Sequence, residues 1–99
     1  MGWATQHIAR LQQGESVQFR PRGGSMRGKI ESGQLCTVVP VAASAVSVGD
    51  VVLCKVNGRQ YLHLVKAVQG GRFLIGNNRG GVNGWVSAGC IYGKCVRVE

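Results

Sequence analysis

Alternation of apolar and polar residues runs through all but the first part of the chain. Segments rich in β-branched residues, set between glycine-containing breaks, predict short β-strands at SVQFR, LCTVVPV, VVLCKV, RQYLHLVKAV, RFLI and IYGKCVRV. The start differs, because Trp3, Ala4, Ile8 and Leu11 recur at helical spacing before Gly14. The pattern therefore predicts a mainly β fold with a short N-terminal helix.

Two glycine-containing pairs predict tight turns between strands. Asn57-Gly58 separates VVLCKV from RQYLHL, and both central positions of a type I′ hairpin turn need a positive φ that Asn and Gly adopt readily. Gly70-Gly71 predicts a second tight turn before RFLI. The segment GNNRGGVNGW, in contrast, predicts a loop.

The first of these turns fixes which residues of the long following strand share a face. Successive side chains of a strand point to opposite faces of the sheet. His63 and Lys66 are therefore expected on opposite faces. One face is predicted to carry Tyr61, His63, Val65 and Ala67, and the other Leu62, Leu64, Lys66 and Val68.

Length and composition favour one small domain spanning residues 1–99. The chain has 99 residues, 44% hydrophobic, with 16 glycines and only two prolines. No stretch is long and apolar enough to cross a bilayer, and the first residues lack the apolar run of a secretory signal, so we expect a cytoplasmic protein without membrane contact. The sequence leaves the oligomeric state open, a dimer included.

Cysteine spacing gives no sign of a metal or cofactor. The four cysteines, Cys36, Cys54, Cys90 and Cys95, form no C-x-x-C pair, and with only two histidines they make no zinc-binding pattern. We expect buried free thiols, because cysteine behaves as a small apolar residue in a reducing compartment.

Charge is the strongest compositional signal. Twelve Lys and Arg against four Asp and Glu give a net charge of +8, which attracts anionic partners. Nucleic acid is one candidate partner, but its support is weak because the aromatic residues available for base stacking are scattered. A basic loop stands out as a binding segment, formed by Arg20, Arg22, Arg27 and Lys29.

Ser25 lies inside this basic loop, directly after two glycines. A serine hydroxyl becomes a good nucleophile when a neighbouring base takes its proton, and the glycines let backbone N–H groups approach a reacting carbonyl. His63 is the candidate base, and Lys66 is the alternative. The backbone of Gly24, Ser25 and Met26 is the candidate oxyanion site.

The order of motifs over residues 17–98 resembles the superfamily of serine peptidases that contains signal peptidases and LexA-type SOS repressors. The matching strings are GGSMRGKIESGQLCTVVPV, VSVGDVVLCKV, YLHLVKAV, FLIGNN and IYGKCVRV. The resemblance implies Ser25 as nucleophile and His63 as base, as in the archaeal and endoplasmic-reticulum signal peptidases, whereas bacterial members use lysine. It also implies a small, coiled antiparallel sheet or partly open barrel.

Histidine suits the role of base, because its ordinary pKa near 6.5 leaves it mostly neutral at pH 7. The chain nevertheless departs from the superfamily pattern. Gly28 replaces a proline, Gln34 replaces an aspartate, and Asn77 stands where an acidic residue is expected. We therefore expect Asn77 or Asn78 to orient the imidazole through an amide oxygen.

Two functions follow from these observations. The first is a serine peptidase that cleaves peptide or protein substrates in trans with a Ser25–His63 dyad. The second is a catalytically inactive module of the same fold, phage-encoded, that uses the basic loop to bind an acidic protein or nucleic acid. The departures at Gly28 and Asn77 favour the second function.

Overall fold

The computed structural model describes residues 2–99 and is mainly antiparallel β, as predicted. The seven strands form one sheet in the order β1-β2-β7-β3-β4-β5-β6, which does not close into a barrel. The elements are helix α1 (Thr5–Gln12) and strands β1 (Val17–Phe19), β2 (Cys36–Pro40), β3 (Val51–Val56), β4 (Arg59–Gln69), β5 (Arg72–Gly76), β6 (Val82–Ser87) and β7 (Ile91–Val98). Short 3-10 turns cover Ala43–Ala45 and Ala88–Cys90.

Both predicted hairpin turns are confirmed. Asn57 and Gly58 have φ of 51° and 79° and connect β3 to β4, and Gly70 and Gly71 have φ of 57° and 75° and connect β4 to β5. Positive φ at both central positions is the signature of a type I′ turn, whose twist matches that of the flanking strands. The turns thus fix the register of the three strands around His63.

The sheet buries apolar side chains on both faces. On one face, Ile8 and Leu11 of the predicted helix pack on Val38 and Leu53. The other face carries a second cluster that includes Val52, Val65, Ile75 and Val86. Within residues 2–99, no layer of helices covers this second face. The sheet curls instead, so that β6 packs against β3 although the two strands are not neighbours in the sheet.

Gln60 at the start of β4 anchors α1 to the sheet. Its side-chain oxygen accepts a hydrogen bond from the backbone N–H of Ala4 at 2.6 Å, and its amide nitrogen donates to Thr5 Oγ1 at 3.0 Å. The indole N–H of Trp3 donates to the Gln60 carbonyl at 3.1 Å. These bonds satisfy polar groups at the beginning of the helix and fix its position beside β4.

The face alternation predicted for β4 is correct as far as Val65 and wrong beyond it. Val65 pairs with Ile75, but Ala67 pairs with Leu74, so Lys66 is the extra residue of a β-bulge. Ala67 consequently leaves the face that carries Val65, and Val68 takes its place opposite the buried Phe73. A bulge arises from the pairing with the neighbouring strand, so the apolar and polar pattern of one strand does not predict it.

All four cysteines are free, as predicted. Cys36 and Cys54 are buried, whereas Cys90 and Cys95 are half-buried. Burial raises the pKa of the Cys54 thiol to about 12 and that of Cys36 to about 11, which keeps both protonated and unreactive at neutral pH.

Residues 2–99 contain no group of three or more His, Cys, Asp or Glu side chains arranged to hold a metal ion. Within the same range, no helix has the length and apolar character needed to cross a membrane.

A glycine in β7 tests the close packing between helix and sheet. A Cβ added at Gly93 would lie 2.7 Å from Val38 Cγ1, 2.8 Å from the Val39 carbonyl and 3.1 Å from Leu11 Cδ1. We predict that Gly93→Ala lowers the free energy of unfolding by about 1–3 kcal/mol, because neither the sheet backbone nor the helix can move freely. Urea denaturation measures the change.

Gly89→Ala is the matched control, since a Cβ at Gly89 meets no atom within 4 Å. Its effect should stay within about 0.5 kcal/mol. Equal stabilities for the two variants would contradict the packing described here.

Candidate active site

The loop between β1 and β2 holds Ser25 at a fixed place rather than in a flexible bend. Met26 and Ile30, which follow Ser25 in this loop, are buried in the same core cluster as Ile8 and Leu11 of α1. The Ser25 carbonyl accepts a hydrogen bond from the backbone N–H of Asn78 at 2.9 Å, and the Asn78 amide donates to the Arg27 carbonyl at 2.9 Å. The loop after β5 therefore ties the serine loop down from the other side.

The local geometry explains two departures from the superfamily pattern. Gly28 has φ of +99°, a value that proline cannot adopt, and an added Cβ would lie 3.0 Å from Asn78 Nδ2. Gln34 accepts a hydrogen bond from the backbone N–H of Glu31 at 2.8 Å through its side-chain oxygen. Gly28 and Gln34 thus both contribute to the turn of this loop.

Ser25 and His63 lie within hydrogen-bond reach of each other. Ser25 Oγ and His63 Nε2 are 3.2 Å apart, although 37 residues of chain, including β2 and β3, separate them. On the other side of the ring, His63 Nδ1 lies 2.7 Å from Asn83 Oδ1. Because an amide oxygen only accepts, Nδ1 carries the proton and Nε2 presents its lone pair to the serine hydroxyl.

Asn83 is the residue that the sequence analysis missed. Gly76 of β5 pairs with Val82 and Ile75 pairs with Gly84, so Asn83 is the extra residue of a bulge in β6. Regular alternation would put Asn83 on the face of Trp85, which is exposed. The bulge turns the Asn83 amide onto the imidazole instead. The segment GNNRGGVNGW is therefore only partly a loop, because β6 begins at Val82.

The two asparagines expected to orient the imidazole bond elsewhere. Asn77 Oδ1 accepts hydrogen bonds at 2.8 Å from the backbone N–H groups of Arg79 and Gly81, within its own loop. Asn78 braces the serine loop, as described above. Both side chains form hydrogen bonds with loop backbone groups and neither bonds His63, so Asn83 is the asparagine that orients the imidazole.

The imidazole of His63 is only 7% exposed and packs face to face with the Tyr61 ring, at a centroid distance of 4.7 Å and an interplanar angle of 30°. Burial lowers the pKa of His63 below its ordinary 6.5, and the hydrogen bond to Asn83 opposes this in part. A neutral His63 is expected from the ordinary pKa of histidine, and burial of the ring favours the neutral form further. His63 is therefore poised to accept a proton at neutral pH.

Three consecutive backbone N–H groups around the serine have no partner in the part of the chain that the structure describes. Among residues 2–99 the N–H groups of Gly24, Ser25 and Met26 have no hydrogen-bond acceptor, whereas Gly23 donates to Ser32 Oγ and Arg27 donates to the Gly24 carbonyl. Unpaired N–H groups beside a nucleophile are the usual components of an oxyanion site.

Lys66, the alternative base, lies against Gly76, and the four cations of the basic loop divide between the cavity and the exposed surface. The Lys66 stem lies against Gly76, where an added Cβ would be 2.8 Å from Lys66 Cε, and it is His63 that bonds Ser25. Arg20 donates to the Gly33 carbonyl at 2.9 Å. Arg27 approaches Glu31 at 3.9 Å. Arg20 and Arg22 line a cavity beside Ser25, and Arg27 and Lys29 are exposed on the loop.

That cavity has a volume of about 670 Å³ and opens beside the Ser25–His63 pair. Its walls come from α1, from the end of β1, from the serine loop and from the first part of β4. A volume of this size lies within the range of about 300–1,000 Å³ that is typical of ligand-binding clefts. The cavity thus places the hydroxyl and the imidazole where a bound molecule can reach both.

The pKa of His63 tests the hydrogen bond that its Nδ1–H donates to Asn83 Oδ1. We predict a titration midpoint below 6.5 in the wild-type chain, and a higher midpoint in Asn83→Asp, because a carboxylate 2.7 Å away stabilises the imidazolium. Asn77→Asp adds the same charge but bonds its own loop, so it should raise the midpoint less. Ring-proton NMR titration measures all three, and equal midpoints in the two variants would contradict the assignment.

Comparison with protein-family models, with curated proteins and with solved structures finds no match. The resemblance to the signal-peptidase superfamily therefore stays a prediction from the motifs of the sequence.

Proposed function

We propose that this protein is a serine peptidase that cleaves peptide substrates in trans, with Ser25 as nucleophile, His63 as general base and acid, and Asn83 as the positioning residue. The observation that carries the proposal is the hydrogen-bonded chain from Asn83 Oδ1 through the imidazole to Ser25 Oγ. A nucleophile in contact with a base that a third group orients is the recurring arrangement of serine hydrolases.

In the first half of the reaction, Ser25 Oγ attacks the carbonyl carbon of the substrate while His63 Nε2 takes the hydroxyl proton. The negative charge that forms on the carbonyl oxygen is stabilised by the free N–H groups of Gly24, Ser25 and Met26. The C–N bond then breaks, and His63 returns the proton to the leaving amine. An ester between Ser25 and the acyl part of the substrate remains.

In the second half, His63 removes a proton from water, the resulting hydroxide attacks the ester, and the Ser25 oxygen leaves with that proton. His63 must be neutral at the start of each half of the reaction, because only the neutral imidazole can accept a proton. Activity should therefore rise as pH increases through the folded-state pKa of His63, which burial places below 6.5. Asn83 keeps Nδ1 protonated throughout but adds no negative charge, so it stabilises the imidazolium less than a carboxylate would.

The free edge of β4 offers a place for an extended peptide. Strand β5 pairs with β4 only from Leu64 onward, and the Gln60 carbonyl on this edge bonds the Trp3 indole. Because backbone groups of alternate residues point to the same edge, the N–H and C=O of Leu62 also face it, inside the cavity. A substrate strand bonded to Leu62 would run past Ser25 and His63.

A non-enzymatic binding module is the second candidate, favoured by the amide of Asn83 where a carboxylate would be the stronger partner for histidine. In that function the basic loop would bind an acidic protein or nucleic acid by charge. Affinity for nucleic acid would then fall steeply with added salt. A module of this kind would bind its partner equally well after Ser25→Ala and would hydrolyse nothing.

The two candidates are separated by incubating the protein with a mixed peptide library and identifying the cleaved bonds by mass spectrometry. We predict that the wild-type chain cleaves, and that Ser25→Ala and His63→Ala each reduce the rate by at least about 10³-fold, since nucleophile and base act as one unit. Ser44→Ala, at an exposed serine in the turn Ala43–Ala45, is the control and should retain full activity.

An intact library after incubation with the wild-type chain would contradict the peptidase proposal. Cleavage that survives Ser25→Ala would contradict it as well, because the hydrolysis would then come from a contaminating enzyme or from a different residue.

A further inference from the structure

The cavity beside Ser25 has an aromatic wall that the proposed chemistry does not use. Phe19 at the end of β1 stacks on His7 of α1, with ring centroids 4.5 Å apart. Trp3 meets Phe19 edge-on at 5.4 Å and His7 at 6.4 Å. We call Trp3, His7 and Phe19 the aromatic wall. All three line the same cavity as Ser25 and His63.

Trp3 is 52% exposed, yet its position is fixed. Its indole N–H donates to the Gln60 carbonyl, so the one polar group of the ring is satisfied and the bare apolar surface points outward. The Ala4 backbone N–H and the Thr5 hydroxyl, in the two residues that follow Trp3, are hydrogen-bonded to the Gln60 side chain. An exposed aromatic ring that is held in place and lines a cavity is typical of a recognition surface.

The cavity rim is positively charged. Arg20 and Arg22 line it, and Arg20 is held by the Gly33 carbonyl. The acidic lining residue, Glu31, is engaged with the Gly28 N–H at 2.8 Å and with Arg27 at 3.9 Å. A ligand with carboxylates next to its apolar group would therefore meet both features at once.

We propose that this cavity selects peptides in which a large aromatic side chain is flanked by acidic residues, the ring packing on the aromatic wall and the carboxylates pairing with Arg20 and Arg22. This inference rests on the proposed peptidase function, because Ser25 lines the cavity and a peptide bound there would lie next to its hydroxyl. A volume of about 670 Å³ leaves room for a whole ring, whereas a methyl side chain would leave most of the wall uncovered.

The arrangement of the rings favours a peptide over single-stranded nucleic acid. Bases bind proteins by stacking in succession on open ring faces. Here a face of Phe19 is covered by His7, and Trp3 meets both rings edge-on, so the three rings form a single wall rather than a row of open platforms.

Binding is measured with the Ser25→Ala variant, so that the peptides stay intact. Three fluorescently labelled heptapeptides differ only at their centre, which is Glu-Phe-Glu, Glu-Ala-Glu or Gln-Phe-Gln. Fluorescence anisotropy should give a dissociation constant for the first peptide at least about tenfold below that of either other, which corresponds to about 1.4 kcal/mol. The second peptide lacks the ring that packs on the wall, and the third lacks the carboxylates that pair with the arginines.

Two variants test whether the aromatic wall recognises the Phe side chain and whether the arginines of the cavity rim recognise the Glu side chains. In the Ser25→Ala background, Trp3→Ala should remove the preference for Phe over Ala, and Arg22→Gln should reduce the preference for Glu over Gln. Trp85→Ala, an exposed tryptophan on β6 outside the cavity, and Arg72→Gln, in the distant β4–β5 hairpin, are the matched controls and should keep both preferences.

Equal affinity for the three peptides would overturn this inference, as would tighter, Trp3-dependent binding of oligothymidylate. Neither result depends on catalysis, because the measurement uses the Ser25→Ala protein. Hydrolysis of the peptide library by the wild-type chain decides the peptidase proposal separately, so the failure of one proposal can be told from the failure of the other.

Discussion

The 2.7 Å hydrogen bond between Asn83 Oδ1 and His63 Nδ1 is the contact on which the proposed chemistry depends. It fixes the imidazole in one tautomer and leaves the lone pair of Nε2 on the side of Ser25. Without it, a buried neutral histidine could carry its proton on either nitrogen, and one of the two forms cannot accept a proton from serine. The bond exists because β6 bulges at Asn83 and because the sheet curls far enough to bring β6 over the face of β4.

The fold supports this contact from two directions. Burial beside Tyr61 keeps the imidazole neutral, and the loop after β5 holds the serine loop through Asn78. Met26 and Ile30 anchor the same loop in the core beneath α1. Ser25 is therefore held from both sides, by the loop after β5 and by the core beneath α1. The proposed reaction would need little rearrangement of this geometry.

Much of this arrangement is predictable from local sequence rules. The two hairpins follow from Asn57-Gly58 and Gly70-Gly71, and they set the register that puts His63 on its face of the sheet. The N-terminal helix follows from the spacing of Ile8 and Leu11. The motif order around Ser25 was enough to select the pair of side chains that lie 3.2 Å apart.

The remaining features depend on contacts between strands, which the sequence pattern does not contain. The bulge at Lys66 reverses the predicted faces of Ala67 and Val68, which assumed regular alternation along β4. The bulge at Asn83 lies in a segment predicted as a loop, so the sequence pattern did not identify the residue that orients the imidazole. The positive φ of Gly28 explains in hindsight why proline is absent there. The cavity is equally hidden, because its aromatic wall combines α1 and β1 only once Gln60 has docked the helix.

The most direct test of the central claim is to treat the protein with a fluorophosphonate and map the adduct by mass spectrometry. This reagent reacts with a serine oxygen whose proton a neighbouring base removes, with loss of fluoride. We expect a single adduct on the tryptic peptide that contains Ser25, formed faster at pH 7.5 than at pH 5. No adduct, or adducts spread over several serines, would contradict the claim that His63 activates Ser25.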